Sequence, residues 1–346
     1  MKNNVVIADI SSIKMNNTIY GHYGKVARMY LNLLGKTARA AGGPVYKNRF
    51  ADSEMVDLPY DFELSSMGTK QGRRLFKKCS IKNGIHLFKT VKNSVIVCQP
   101  YSFLSWMTAI LLTKKRNKIY LIEYRNELDK KLNRILYKLA KRKIDGVLCP
   151  NDKVGQIFGL PYLVLTDYIY DKTEMPAHSE NAKYDFGVIG IMSRDKDVAD
   201  VVKTFTGTDY KVLIAGHFGG RKDEVCGQYT DNITVVDKYL TNEEYEQAFS
   251  DSDCIILPYG DAYKNQSSGV IFDVLFRAKP VITKDFESFR FVKDSGAGVL
   301  YNHTLAELDF EKVTSKENKE KMYANVCRFI EQNKAQREKL AEFLDR

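Results

Sequence analysis

The sequence predicts an α/β protein built from two doubly wound, parallel-sheet domains. The chain has 346 residues of 44% hydrophobic composition, enough for two cores of ordinary domain size. Short apolar runs of strand length alternate with helical patterns in both halves of the chain. A polar stretch at 171–183 contains Pro176 and shows no sustained apolar period, so it suits an interdomain connection.

The first half opens with an apolar run at 5–10, a short loop and an amphipathic helical segment at 25–34. Further strand-like runs lie at 95–98, 118–122 and 146–149, with helical patterns between them at 102–113 and 128–143. This alternation is typical of a parallel sheet covered by helices. We therefore place a first domain at 1–172 and a linker at 173–183.

The second half repeats the alternation after the linker. Strands are predicted at 186–191, 211–215, 233–236, 254–257 and 280–283, and helices at 198–205, 242–249 and 269–276. The repetition predicts a second doubly wound sheet in a C-terminal domain at 184–315. Residues 316–346 are rich in lysine and glutamate, which is typical of surface helices.

The positive charge of the chain is concentrated in its first half. The formal net charge is +10 overall, with +16 in residues 1–175 and −6 in residues 176–346. The segment 64–122 has twelve lysines and arginines and no acidic residue. This imbalance indicates an anionic partner for the first domain.

The cysteine pattern argues against disulfides and zinc. The six cysteines are widely spaced, with no CxxC pair and no Cys/His cluster at the spacing of zinc ligands. We expect reduced thiols, no metal site and a cytoplasmic protein without an export signal. The longest apolar stretch, 103–112, is half of the roughly 20 residues that a membrane-spanning helix needs, so no span is expected.

The segment 253–283 carries the most informative chemistry. A predicted strand runs into Pro258-Tyr259, and a loop leads to Ser267-Ser268-Gly269 at the start of a helix. Backbone N–H groups at a helix start favour a diphosphate, and Asp273, one turn further on, can accept hydrogen bonds from a ribose diol. Ordinary N-capping by serine, with Asp273 as a solvated helix residue, fits the same pattern.

This stretch resembles the nucleotide-sugar-binding domain of the family-4-like retaining glycosyltransferases over most of residues 184–302. The shared features are Pro258-Tyr259, the glycine-bearing turn, Asp273, and the run Ala278, Pro280, Val281 and Ile282. The resemblance implies a GT-B fold, in which two Rossmann-like domains face a central cleft. It also implies donor-binding residues, namely Gly190, Arg194, Lys196, Tyr239, Tyr259, Asn265, Ser267, Ser268, Gly269 and Asp273.

The resemblance also assigns roles within that set. Asp273 would bind the donor ribose, and the Ser-Ser-Gly turn would bind the phosphates. Arg194 and Lys196 stand where the family has cations that stabilise the departing diphosphate, a role that needs no metal, although exposed charges at a helix start would look the same. Tyr239 lies in the stretch that contacts the nucleobase. Asn265 departs from the family, whose first glutamate contacts the transferred sugar at this position.

In the first domain, Gly21, His22 and Gly24 occupy the place of the family's glycine-rich first loop and are interpreted as acceptor-side residues. Glu123 ends the strand where the family often has a functional histidine, and we also place it on the acceptor side. His22 is the candidate general base for an inverting reaction, with Asp9 as another possible base. In the retaining reaction that we favour, the departing phosphate takes the acceptor proton.

The helix predicted at 128–143 is amphipathic and strongly basic. Its apolar positions at helical spacing are Leu128, Leu132, Ile135, Leu136 and Leu139. Such a helix can bind anionic lipid headgroups, so we expect peripheral attachment to the inner face of the cell membrane. The alternative is that these positions pack on the sheet and the lysines form a solvated face.

The sequence therefore predicts a hexosyltransferase-type glycosyltransferase that uses a UDP- or GDP-sugar and no further cofactor. The expected acceptor is a glycan or a lipid-linked intermediate of bacterial surface polysaccharide synthesis. A noncatalytic GT-B-fold partner subunit and a GT-B sugar-nucleotide epimerase are the alternatives. No helix-turn-helix, zinc finger or RNP-like segment is found, so no nucleic-acid partner is expected.

Overall fold

The computed structural model describes residues 4–15, 17–176, 182–264 and 268–345. The chain divides into two compact units: Met1–Asp171 together with Asn333–Arg346, and Lys172–Gln332. The last segment therefore belongs to the first unit, whereas the sequence division had set 316–346 apart. Within the described residues, no helix is both long and apolar enough to cross a membrane.

The first unit is built on a parallel sheet. Its strands, with those of a small accessory sheet, are β1 (Val5–Ala8), β2 (Ile13–Met15), β3 (Thr18–Ile19), β4 (Ala38–Gly42), β5 (Met55–Asp57), β6 (Phe62–Glu63), β7 (Val95–Cys98), β8 (Lys118–Ile122), β9 (Gly146–Cys149) and β10 (Tyr162–Val164). Among the described residues, the main sheet has seven strands in the order β10-β9-β8-β7-β1-β4-β5, and the accessory sheet has the order β3-β2-β6. All residues of β1, β7 and β9 are buried, which explains why these strands read as unbroken apolar runs.

The helices of the first unit are α1 (Tyr23–Leu34), α2 (Lys70–Thr90), α3 (Phe103–Leu112), α4 (Lys131–Ala140) and α5 (Asp152–Phe158). Residues of α2, α3, α4 and α5 share one core with the same face of the sheet. That core includes Leu87 of α2, Trp106 of α3, Tyr137 of α4 and Phe158 of α5. These four helices therefore form one layer over the sheet.

The second unit contains a second parallel sheet. Its strands are β11 (Tyr184–Ile189), β12 (Val212–Gly216), β13 (Ile233–Asp237), β14 (Ser252–Leu257), β15 (Val281–Lys284) and β16 (Gly298–Tyr301). In the part of the chain that is described, their order is β13-β12-β11-β14-β15-β16. The order runs outward in both directions from β11 and β14. This reversal marks the point where a doubly wound sheet binds ligands at the carboxyl ends of its strands.

The helices that follow are α6 (Val198–Phe205), α7 (Lys222–Cys226), α8 (Asn242–Ser250), α9 (Gly269–Leu275), α10 (Arg290–Asp294), α11 (Phe310–Thr314), α12 (Lys316–Lys334) and α13 (Gln336–Asp345). The last of them, α13, packs on the first unit. There the Tyr120 hydroxyl donates to the Phe343 carbonyl at 3.1 Å, and the two rings lie 5.3 Å apart.

The two doubly wound sheets confirm the predicted α/β architecture. Strands β7, β8 and β9 have the predicted bounds. The helix predicted at 128–143 is shorter, because its regular part is α4 and its two ends are 3-10 turns at Glu127–Asp129 and Lys141–Lys143. The 21-residue helix α2 was not predicted, since its buried face includes Ser80, Asn83 and Gly84 and so lacks an apolar period.

Candidate functional site

Two glycines bring the ends of neighbouring strands together in the second unit. Gly190 follows β11 with a φ of +105°, and Gly216 ends β12 with a φ of +155°. A Cβ at Gly216 would lie 1.7 Å from the Gly190 carbonyl oxygen, so no larger residue fits there. These glycines let the backbone turn away from the sheet at its carboxyl edge.

The loop after β11 is bonded to the loop after β14. The Asp197 N–H donates to the Pro258 carbonyl at 2.6 Å, and the Gly260 N–H donates to the Asp195 carbonyl at 2.7 Å. Between these bonds, Lys196 and Tyr259 form an antiparallel backbone bridge. The residues that the sequence proposed for the phosphates and for the loop after Pro258 therefore belong to one bonded structure.

The Lys196 side chain turns back toward Gly190. A Cβ at Gly190 would lie 3.8 Å from the Lys196 Nζ. Burial lowers the pKa of this ammonium to about 8, because the charged form loses its hydration and no described carboxylate is near enough to compensate. Lys196 is therefore a desolvated cation that an anion would stabilise.

Arg194 lies on the same loop but is exposed. It makes no ion pair with any residue that the structure describes. The exposed charge that the sequence alternative foresaw thus applies to Arg194, while the side chain of Lys196 is largely buried. A guanidinium here can reach a bound ligand only from the solvent side.

Tyr259 has a structural position. Its ring is fully buried, stacks on Tyr263 at 4.0 Å between centroids, and lies 5.2 Å from Phe289. Its hydroxyl is hydrogen-bonded to the Ser268 hydroxyl, and burial raises its pKa far above the ordinary value. The Tyr259 side chain therefore does not face a ligand; it holds the residue that precedes α9.

Ser268 is the N-cap residue of α9, yet its side chain makes no capping hydrogen bond. Its hydroxyl is instead paired with Tyr259. Ordinary N-capping by Ser268, the alternative left open by the sequence, is therefore not observed. Gly269 begins α9, whereas Asn265 and Ser267 lie outside the described residues.

Asp273 belongs to a small ionic network. Its Oδ1 lies 3.8 Å from Arg277 Nη1, and the Arg277 guanidinium is also paired with both carboxylate oxygens of Glu246. The guanidinium carbon sits 4.7 Å over the Phe249 ring. Arg277 therefore restrains the Asp273 carboxylate. The sequence analysis missed this residue, although the four-residue spacing between Asp273 and Arg277 was a local signal.

An aromatic pair stands at the ends of β12 and β13. The rings of His217 and Tyr239 stack with centroids 3.9 Å apart and planes inclined by 29°. His217 Nδ1 lies 3.7 Å from Asp237 Oδ1. Tyr239 is 64% exposed, so the pair offers a flat aromatic surface to solvent. The sequence proposed Tyr239 for the nucleobase but missed His217, which no local pattern distinguishes.

In the first unit, the loop glycines have different roles. Gly21 is exposed with a φ of +74°, which favours glycine. Gly24 is buried in the first turn of α1, and a Cβ there would lie 2.9 Å from Ile19 Cδ1. Gly24 is thus required by packing rather than by the approach of a ligand. His22 is exposed at the N-cap of α1, with its ring edge toward Tyr168.

The acidic candidates of the first unit are buried. Asp9 follows β1, and its carboxylate accepts hydrogen bonds from the Ser11 N–H and the Tyr46 hydroxyl, both at 2.9 Å. Glu123 follows β8. Burial raises the pKa of both carboxyls, and the nearby Glu127 adds to the effect at Glu123. Neither group is placed in the open as an accessible base.

The solved structures similar to this chain are proteins with nucleotide-sugar ligands or chemistry in their names. Alr3699/HepE from Anabaena in complex with UDP has a TM-score of 0.65 at 11% identity, with 99% of each chain covered. The trehalose-6-phosphate structure from E. coli bound with UDP-2-fluoro glucose has a TM-score of 0.65 at 10% identity, with 98% of each chain covered. UDP-GlcNAc 2-epimerase from Methanocaldococcus jannaschii has a TM-score of 0.53 at 12% identity, with 93% of this chain and 91% of that chain covered.

No protein-family model matches the sequence, and no curated protein matches it. At identities this low, similarity to solved structures shows the fold and not the activity. The chain has the GT-B fold of two Rossmann-like α/β units, which confirms the fold class predicted from the sequence.

Proposed function

We propose that this protein is a glycosyltransferase of the retaining, family-4-like kind that takes a sugar from a nucleoside-diphosphate donor bound by its second unit. The desolvated Lys196 ammonium beside Gly190 carries the proposal. A diphosphate at this place would supply the negative charge that the described protein groups do not. Because the site lies at the carboxyl edge of the sheet, it has the usual position of a ligand in such a fold.

The neighbouring residues fit the rest of a nucleotide. Asp273, held by Arg277, can accept hydrogen bonds from the two ribose hydroxyls. The exposed face of the His217–Tyr239 pair can stack on a base. Arg194 can approach the diphosphate from solvent. UDP- and GDP-sugars are the donors that we propose, with a hexose as the transferred group.

The proposed reaction breaks the bond between the sugar C1 and the diphosphate oxygen and forms a bond from C1 to an acceptor hydroxyl oxygen. The hydroxyl proton passes to the departing diphosphate. Lys196 and Arg194 stabilise the negative charge that develops on this leaving group. The proposed acceptor is a glycan or a lipid-linked intermediate of bacterial surface polysaccharide synthesis, handled in the cytoplasm.

Calorimetric titration with UDP, GDP, ADP and CMP tests the donor site. One nucleoside diphosphate should bind the wild type, and Lys196→Met should weaken it by about 10- to 100-fold, because a charge-assisted contact is lost. Lys203→Met, which removes an exposed lysine from α6, is the matched control and should bind as the wild type does. Failure of every nucleotide to bind, or equal binding by Lys196→Met, would contradict the proposal.

A second experiment separates the enzyme from its alternatives. The protein is incubated with the sugar conjugate of the nucleotide that binds, and the sugar protons are followed by NMR. Release of the free sugar, first appearing with the anomeric configuration of the donor, supports a retaining transferase. A change of configuration within the intact nucleotide sugar would indicate an epimerase. Binding with neither change, even with candidate acceptors present, would indicate a noncatalytic GT-B protein.

A further inference from the structure

Helix α4 presents apolar side chains to solvent. Leu132, Ile135 and Leu139 are 55%, 47% and 63% exposed. The residues that α4 buries are Asn133, Tyr137 and Ala140. The apolar positions of the predicted stripe are thus divided: Leu128 and Leu136 pack partly on the core, while the other three share an outward face at spacings of three and four residues.

Basic residues flank this apolar group. Lys131 and Lys138 on α4 and Arg142 just after it are exposed. None of the three makes an ion pair within the described part of the chain. We name these six residues the α4 face: Leu132, Ile135, Leu139, Lys131, Lys138 and Arg142.

The surface continues at the end of α3. The Lys143 ammonium donates to the Ile110 carbonyl at 2.8 Å and to the Thr113 carbonyl at 2.5 Å, which places the ends of α3 and α4 side by side. Leu112, at that end of α3, is 66% exposed. Next to α3 packs α2, whose exposed residues include Arg73, Arg74, Lys77 and Lys78. The layer of helices thus carries more uncompensated positive charge around the α4 face.

We propose that the α4 face docks on the surface of an anionic phospholipid bilayer. Three apolar side chains projecting from one convex helix suit shallow insertion among headgroups, and the flanking cations suit anionic phosphates. A second copy of this chain is disfavoured, because it would bring two uncompensated basic faces together. The proposal concerns a surface apart from the donor site and does not depend on the proposed activity.

Flotation of the full-length protein with lipid vesicles tests this surface. One set of vesicles is phosphatidylcholine alone, and the other is an equal mixture of phosphatidylcholine and phosphatidylglycerol. The wild type should float with the anionic vesicles only, and less at high salt, because salt screens the attraction. Leu132→Gln, Ile135→Gln and Leu139→Gln combined should reduce the partition coefficient by about tenfold or more. Glutamine keeps high helix propensity, so α4 should remain folded.

A pair of charge reversals separates the α4 face from the general charge of the protein. Lys131→Glu with Lys138→Glu should reduce anionic-vesicle binding by about tenfold or more. Lys321→Glu with Lys339→Glu makes the same charge change at exposed positions on α12 and α13 and should bind nearly as the wild type does. Thermal unfolding checks that every variant is folded.

Three results would overturn the proposal. The first is a wild type that binds phosphatidylcholine and anionic vesicles equally or not at all. The second is a triple glutamine variant, folded and monomeric, that floats like the wild type. The third is a concentration-dependent dimer, seen by analytical ultracentrifugation, that the glutamine substitutions abolish while vesicle binding persists. That last outcome would assign the α4 face to self-association.

Discussion

Lys196 and Tyr259 pair their backbones in an antiparallel bridge, and this bridge joins the loop after β11 to the loop after β14. The bonds on either side, from Asp197 to Pro258 and from Gly260 to Asp195, prevent the two loops from separating independently. The desolvation of the Lys196 ammonium is therefore maintained by the backbone framework. It costs stability when no anion is bound.

Replacing Lys196 by methionine should stabilise the ligand-free protein while weakening nucleotide binding. Burial lowers the pKa of Lys196 from 10.5 to about 8. At pH 7 this difference corresponds to as much as about 3 kcal/mol of destabilisation. Urea unfolding at pH 7 should show the gain, and Lys203→Met should not show it.

The sign of the pH dependence follows from the same shift. Because the pKa of Lys196 is lower in the folded state, the cost is complete below pH 8 and is relieved as the pH rises from 8 to 10.5. The stability difference between Lys196→Met and the wild type should therefore shrink over this window. A difference that stays constant with pH would show that Lys196 is not desolvated.

The Tyr259 hydroxyl should act on the donor site through Ser268. Tyr259→Phe removes the bond between the two hydroxyls and leaves a buried Ser268 oxygen without a partner, at a cost of about 1–3 kcal/mol. Nucleotide affinity should also fall, because the residue before α9 loses its restraint. Calorimetric titration and urea unfolding measure both effects.

A double-mutant cycle with Ser268→Ala tests the coupling, which should be clearly nonzero in stability. Tyr263→Phe is the control, because its ring stacks on Tyr259 but its hydroxyl makes no hydrogen bond with a described residue. Additive effects of Tyr259→Phe and Ser268→Ala would contradict the proposed link.

Asp273→Asn should weaken UDP or GDP binding but not the binding of inorganic pyrophosphate, which has no ribose. The amide loses one acceptor position and the negative charge that favours hydrogen bonds from the diol. We expect about a tenfold loss for the nucleotide. Lys196→Met should weaken both ligands, so the two variants distinguish the ribose contact from the phosphate contact. An equal loss of pyrophosphate binding in Asp273→Asn would remove this residue from the ribose site.

Tyr239→Ala should weaken nucleotide binding by about tenfold, because one ring of the His217–Tyr239 pair is lost to base stacking. Tyr239→Phe keeps the ring and should bind as the wild type does. Ribose 5-phosphate, which has no base, should compete equally with both variants. If Tyr239→Phe is as weak as Tyr239→Ala, the hydroxyl and not the ring makes the contact.

The strands of the two cores could be predicted from the sequence because parallel strands are buried on both faces. Their apolar runs therefore stand out without knowledge of their neighbours. Helix α2 could not be predicted in the same way. Its Asn83 is buried because the side-chain amide bonds to the Ile10 carbonyl at 3.0 Å and to the Tyr60 carbonyl at 2.8 Å. A buried polar residue whose partners are distant in the chain gives no apolar signal.

The candidate site was predictable in part. Its location followed from the loops at the carboxyl ends of strands, and Lys196 and Asp273 were proposed from family-like positions. The side-chain roles were not predictable. Tyr259 is buried instead of facing a donor, Gly24 serves packing, and Arg277 restrains Asp273. Each of these roles depends on atoms contributed by another segment of the chain.

By itself the sequence determined the alternation of apolar strands and helices, and hence two parallel sheets, because this pattern is local. It also determined the basic character of the first half. Only the tertiary structure decided which side chains lose their water. It desolvates Lys196, buries Tyr259 and turns Leu132, Ile135 and Leu139 outward, since burial depends on which distant segments pack against a residue.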